Sequence, residues 1–134
     1  MQTEFDETMP LRTSDDVVRV RQAVRSRAVA AGFSLVDQTK LVTAASEIGR
    51  NTVDYGGGGT LRILVLRDGP RRGVRLTFAD QGPGIADITL AMRDGYTTGG
   101  GLGLGLSGAK RLSNEFEVQS SPGCGTVVTL ARWK

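Results

Sequence analysis

Two pairs of apolar runs, each turned back on itself by a short polar segment, set the strongest limit on the fold. Leu61-Arg62-Ile63-Leu64-Val65-Leu66 and Val74-Arg75-Leu76-Thr77-Phe78 flank Asp68-Gly69-Pro70, which reads as a hairpin. Phe116-Glu117-Val118 and Val127-Val128-Thr129-Leu130 flank Ser121-Pro122-Gly123-Cys124-Gly125 in the same way. Parallel strands require long crossover connections, so a parallel doubly wound sheet fits this order poorly.

Helical patterns fill the rest. Thr13-Ser14-Asp15-Asp16 supplies an N-cap with an acidic first turn, and Val17, Val20, Val24, Ala28 and Ala31 recur at helical spacing up to Gly32. Ser34-Leu35-Val36-Asp37 repeats the cap before the stripe Leu41, Ala45, Ile48, Thr52 and Tyr55, which Gly56 to Gly59 ends. A third helix is expected from about Gly103 to Ser113, and a short helix followed by a mobile loop over Asp87 to Gly100. Met1 to Leu11 is expected to add an edge strand. The order predicts a single domain over residues 1–134. Its class is α/β (α+β), a two-layer sandwich of a mixed, mostly antiparallel sheet with three main helices on one face. A chain of 134 residues can build one such core and has too little left for a second.

Composition removes several function classes. The chain has no histidine and one cysteine, Cys124, so a Ser-His-Asp triad, a His- or Cys-based zinc site, a phospho-accepting histidine and an internal disulfide are all excluded. Its net charge of +3 is spread over helix and strand faces without the clustering and interleaved aromatics of a nucleic-acid surface. The start, Met1-Gln2-Thr3-Glu4-Phe5-Asp6-Glu7, is acidic and carries no apolar leader. No run approaches the ~20 apolar residues needed to span a bilayer. A cytoplasmic protein with no nucleic-acid or membrane partner is the expectation.

Three segments can carry chemistry, and each has a plainer reading beside it. Glu47 and Asn51 stand one turn apart on the second helix, at the margin of its apolar stripe. They read either as a solvated face or as a carboxylate able to take a proton beside an amide oxygen able to hold Mg²⁺. Asp80, in Asp80-Gln81-Gly82-Pro83-Gly84-Ile85, falls on the inward side of its strand when counted by twos from Val74, Leu76 and Phe78. It reads either as a cap on the glycine turn or as the acceptor for an exocyclic amine that the glycines let approach. Gly99-Gly100-Gly101-Leu102-Gly103-Leu104-Gly105-Leu106-Ser107-Gly108-Ala109-Lys110 reads either as a hinge or as a phosphate-binding loop at a helix start. Its G-x-G-x-x-G match lacks the preceding strand of a dinucleotide fold.

Together and in this order, these segments resemble the N, G1 and G2 boxes of the GHKL superfamily of gyrase, heat-shock chaperone, histidine kinase and MutL ATPases. Gly123-Cys124-Gly125-Thr126 resembles its last box, so the likeness runs over nearly the whole chain. Within the superfamily the chain is most similar to the partner-switching serine/threonine kinases that control sigma factors. The stretches Ala45-Ser46-Glu47-Ile48-Gly49-Arg50-Asn51 and Asp94-Gly95-Tyr96-Thr97-Thr98 carry the likeness to the stressosome switch kinases. Where anti-sigma factor kinases usually continue with Ala and a His-Gly pair, this chain has Thr52-Val53-Asp54-Tyr55-Gly56.

The resemblance implies an ATP-dependent kinase acting on a serine or threonine of a STAS-domain antagonist or scaffold. It also implies a metal-dependent protein phosphatase as second partner. By the same resemblance Glu47 is catalytic, receiving the substrate proton, and Asn51 holds Mg²⁺ against the phosphates. Asp80 binds the adenine amine with Gly82, Gly84 and Thr126, while Gly101, Gly103 and Gly105 wrap the phosphates under a lid from Asp87 to Gly100. Arg93 and Lys110 are candidate γ-phosphate cations by position. An anti-sigma factor kinase that binds a sigma factor directly, and a non-catalytic ATP-gated binding module, are the alternatives.

Overall fold

The computed structural model describes residues 1–92 and 104–134. Strand β1 (Gln2–Leu11) leads into helix α1 (Ser14–Ala30) and helix α2 (Leu35–Asp54), followed by the hairpin β2 (Gly59–Asp68) and β3 (Arg71–Asp80). A one-turn helix α3 (Ile88–Ala91), helix α4 (Leu104–Arg111) and the hairpin β4 (Glu115–Ser120) and β5 (Thr126–Trp133) complete the chain. The element order is the expected one. Residues 93–100 of the expected lid, with Arg93 among them, lie outside the described residues, as do Gly101 and Gly103 of the glycine run.

Both long helices start where the sequence caps them. Thr13 Oγ1 accepts the Asp16 amide proton, and Asp16 Oδ2 accepts the amide protons of Arg12 and Thr13, closing a capping box. Ser34 Oγ accepts the Asp37 amide proton at the start of α2. The inward stripes of the two helices then bury Val17, Val20, Val24 and Ala28, and Leu41, Ala45, Ile48 and Thr52.

The five strands run in the order β1-β2-β3-β5-β4. Every pairing among them is antiparallel, where a mixed, mostly antiparallel sheet was expected. The connection from β3 through α3 and α4 carries the chain past one strand position to the sheet edge. β4 takes that edge, and β5 returns between β4 and β3, antiparallel to both. Alternate residues Leu61, Ile63 and Val65 of β2, Val74, Leu76 and Phe78 of β3, and Val128 and Leu130 of β5 face the helices in one core. Burying each such side chain contributes about 1.5–3 kcal/mol relative to exposure. The opposite sheet face is charged and carries the pairs Asp6–Arg62 and Glu115–Arg75.

Candidate functional site

Asp80 ends β3, and antiparallel register places it opposite Gly59 on β2 and Thr126 on β5. The inward parity that buries Phe78 therefore brings a carboxylate and a hydroxyl side by side at one end of the sheet, beneath the last turns of α2. A cleft opens there, lined by Ile48, Asn51, Thr52, Tyr55 and Gly56 from α2 and its end, and by Phe78 and Asp80 from β3. Pro83, Gly84 and Ile85 close one side, and Leu106, Thr126 and Val128 the other. Its walls are mostly apolar with a few convergent polar groups, the usual constitution of a small-molecule site.

The two readings of Asp80 prove compatible. Its Oδ1 accepts the amide protons of Gly82 at 2.9 Å and Thr126 at 3.2 Å, so it does cap the glycine turn. Its Oδ2 accepts no hydrogen bond from the described residues and remains available to a donor in the cleft. The carboxylate sits against the backbone of Gly56, where a Cβ would collide with it, and a Cβ on Gly82 would come within 2.7 Å of the Gly56 Cα. Gly84 has φ +78°, and a Cβ there would strike the Ser121 carbonyl. These positions hold the β3 turn tightly against both the end of α2 and the β4–β5 turn.

Ser120, which sequence reasoning passed over, ties the same wall together. Its Oγ accepts the Ile85 amide proton at 2.8 Å and donates to the Gly125 carbonyl at 2.9 Å. A hydroxyl has one proton to give, so in the contact at 2.8 Å between Ser120 and Thr126 the Thr126 hydroxyl must be the donor. Thr126 Oγ1 is thereby left with lone pairs for a cleft ligand. The only sequence signal for Ser120 was its position just before the turn.

Asn51 and Glu47 part company. Asn51 lines the cleft, and its Nδ2 is buried with no hydrogen-bond partner among the described residues. Such a group costs stability unless a ligand meets it. Glu47 does not line this cleft. It lies in a second groove, between α1 and α2, with Arg21, Arg25, Thr39, Val42, Thr43, Ser46 and Arg50. Its carboxylate stands 3.8 Å from the Arg50 guanidinium, which also donates to Ser46 Oγ at 2.9 Å. Of the glycine run, Gly105 falls in the first turn of α4, and Lys110 sits in that helix's last turn, outside the cleft.

The described residues contain no cluster of acidic, Cys or His side chains able to hold a metal alone. A cation here would need phosphate oxygens beside the Asn51 amide, in keeping with the way Mg²⁺ binds nucleotides. The unmet Asn51 amide, the free Asp80 oxygen and the close glycine packing all fit a bound nucleotide. No helix among the described residues is long and apolar enough to cross a membrane.

Residues 36–134 match the family described as Histidine kinase-, DNA gyrase B-, and HSP90-like ATPase. The chain is 43% identical over 123 residues to the serine/threonine-protein kinase RsbT of Bacillus subtilis (strain 168), a match covering 92% of each protein. With the anti-sigma F factor of Thermoanaerobacter sp. (strain X514) it shares 30% identity over 97 residues, 68% of this chain and 66% of that one. The crystal structure of the RsbU and RsbW domains of a Mycobacterium tuberculosis protein superposes with a TM-score of 0.66 at 21% identity. That match covers 96% of this chain and 32% of the larger one, and is a likeness of fold. The chain therefore belongs to the histidine kinase-, DNA gyrase B- and HSP90-like ATPases, and within them to the protein serine/threonine kinases related to RsbT.

Proposed function

We propose that this kinase transfers the γ-phosphate of ATP to a serine or threonine on a STAS-domain antagonist or scaffold, as the cytoplasmic switch of a partner-switching pathway. The observation that carries the reading is the divergence of two side chains one turn apart on α2. Asn51 lines the Asp80 cleft while Glu47 lines the groove toward α1, so the helix separates a nucleotide side from a protein side. The 43% identity to RsbT over 92% of both chains supports the choice of pathway. In that pathway a metal-dependent protein phosphatase is the second partner, engaged when the kinase leaves its substrate.

ATP supplies the phosphoryl group when bound, and Mg²⁺ offsets its charge. Asp80 Oδ2 and the Thr126 lone pairs select the adenine edge, with Gly82 and Gly84 admitting it closely. Asn51 presents its amide oxygen to the cation and its Nδ2 protons to phosphate oxygens, and Gly101, Gly103 and Gly105 offer backbone amides to the phosphates. Glu47 orients the accepting hydroxyl and takes its proton.

Single-turnover transfer to a STAS-domain protein at saturating ATP tests these roles. Glu47→Gln should keep ATP affinity while lowering transfer by ~10²–10⁴-fold, the usual range for a general base. A loose phosphoryl-transfer transition state would put the loss at the low end. Asn51→Ala should damage Mg²⁺-dependent binding and transfer together. Wild-type transfer by the Glu47 variant would remove it from catalysis. The match to an anti-sigma F factor favours a second reading, direct control of a sigma factor. Co-purification with a sigma factor in place of a STAS scaffold would decide for it.

A further inference from the structure

We infer that the groove between α1 and α2 is the docking site for the protein substrate, and that it takes an acidic segment whose carboxylates flank the accepting hydroxyl. The inference rests on the placement of Glu47 as the proton acceptor, because the segment that carries the hydroxyl must then lie along the groove that Glu47 lines, with the hydroxyl itself within reach of both Glu47 and the γ-phosphate. Three guanidinium groups line that groove, Arg21, Arg25 and Arg50, against one carboxylate, Glu47. Arg50 is engaged with Glu47 and Ser46. Arg25 donates to Gln38 Oε1 at 3.3 Å, a neutral partner that leaves its charge unmatched. Arg21 forms no ion pair with the described residues.

The helices run antiparallel across a short connection, so Arg25 lies beside the start of α2 and Arg21, one turn back along α1, lies nearer Ser46 and Glu47. Two positive charges with no carboxylate partner among the described residues therefore lead along the groove toward the Glu47 carboxylate. From Thr39 to Arg50 the helix advances about 16 Å, room for roughly five extended residues. Thr39, Thr43 and Ser46 add hydroxyls along the floor, and none of the described residues that line the groove has an aromatic ring to stack a nucleobase. The acidic start of this chain is no candidate occupant from a second copy, because Glu4 and Asp6 are tied into β1 by Arg72 and Arg62. Charge complementarity thus favours a carboxylate-bearing segment of a different protein, guided in electrostatically.

A short fluorescent peptide with one serine flanked by Asp and Glu, and its Asn/Gln counterpart, provide the test. Anisotropy should show the acidic peptide binding about tenfold more tightly than the amide form, with an advantage that shrinks as salt rises. Arg21→Glu alone, and Arg21→Gln with Arg25→Gln, should each weaken acidic-peptide binding by about tenfold while ATP affinity stays at the wild-type value. In transfer assays the same variants should raise KM far more than they lower kcat. Equal binding of the two peptides by the wild-type protein would overturn the proposal without any variant being needed. So would acidic-peptide binding that survives all the arginine substitutions. If the peptide binds as expected but Glu47→Gln transfers phosphate normally, the catalytic assignment fails and the docking site stands.

Discussion

At Asp80 the two oxygens of one carboxylate face different environments: Oδ1 is saturated by the amides of Gly82 and Thr126, and Oδ2 is left to the cleft. Asp80→Asn should keep the turn, because an amide oxygen can accept both backbone protons, and it then turns an NH₂ group toward the ligand. A donor would meet the donor amine of adenine. ATP affinity should fall by ~10–100-fold, the cost of one mispaired buried group. The same variant should gain relative preference for a 6-oxo purine such as ITP, whose carbonyl can accept. Calorimetric titration of both nucleotides into both proteins measures this, and unchanged ATP affinity would take Asp80 out of the site. The residue's inward parity could be read directly from Val74, Leu76 and Phe78. Ser120 could not, because its role arises from three partners that the fold brings to it from Ile85, Gly125 and Thr126.

Among the elements, those closed by local chemistry were the most legible. Thr13 and Ser34 cap α1 and α2 as read, and the helical stripes face the core with one exception at the end of α2, where Tyr55 is half-buried as the C-cap. Thr13→Ala should cost about 1 kcal/mol through the lost cap and leave ATP affinity unchanged, since α1 contributes nothing to the cleft. Urea unfolding with an unchanged m-value checks it. A matching loss of ATP affinity would mean that α1 supports the site through α2. Two features of the elements were beyond local pattern. The insertion of β5 between β3 and β4 is a nonlocal choice of strand order, and hairpin patterns predict the antiparallel pairing within each hairpin but not the pairing between them. Helical spacing set Glu47 and Asn51 on one flank, but only the packing of α1 on α2 decides that they open into different grooves.

For the molecule as a whole, the ends of distant elements are clamped by Arg132 on β5. Its guanidinium donates through Nε and Nη2 to Asp37 Oδ1 at the start of α2 and through Nη1 to the Leu112 carbonyl after α4. The hydrogen bonds from Arg132 hold the Asp37 carboxyl below its ordinary value, with Ser34 and Lys40 helping and burial opposing. A carboxyl whose folded pKa is depressed binds fewer protons folded than unfolded near pH 4. Its contribution is therefore complete above the unfolded value of about 4 and is lost as pH falls through the lower folded one. Both side chains remain partly exposed, at 14% for Arg132 and 29% for Asp37, so solvent screening holds the pair to the order of 1 kcal/mol at neutral pH. Other carboxylates with depressed values, Asp6 and Asp16, unload in the same window, so an acid-denaturation curve alone would not isolate the clamp. A double-mutant cycle of Asp37→Asn and Arg132→Gln does isolate it, because the shared background cancels. The coupling energy should be favourable at pH 6 and shrink as the pH falls below the unfolded value of about 4 and on through the depressed folded one, measured by urea unfolding at each pH. A coupling that stays constant across that range would show that the pair acts through neutral hydrogen bonding and packing, with the Asp37 charge playing no part.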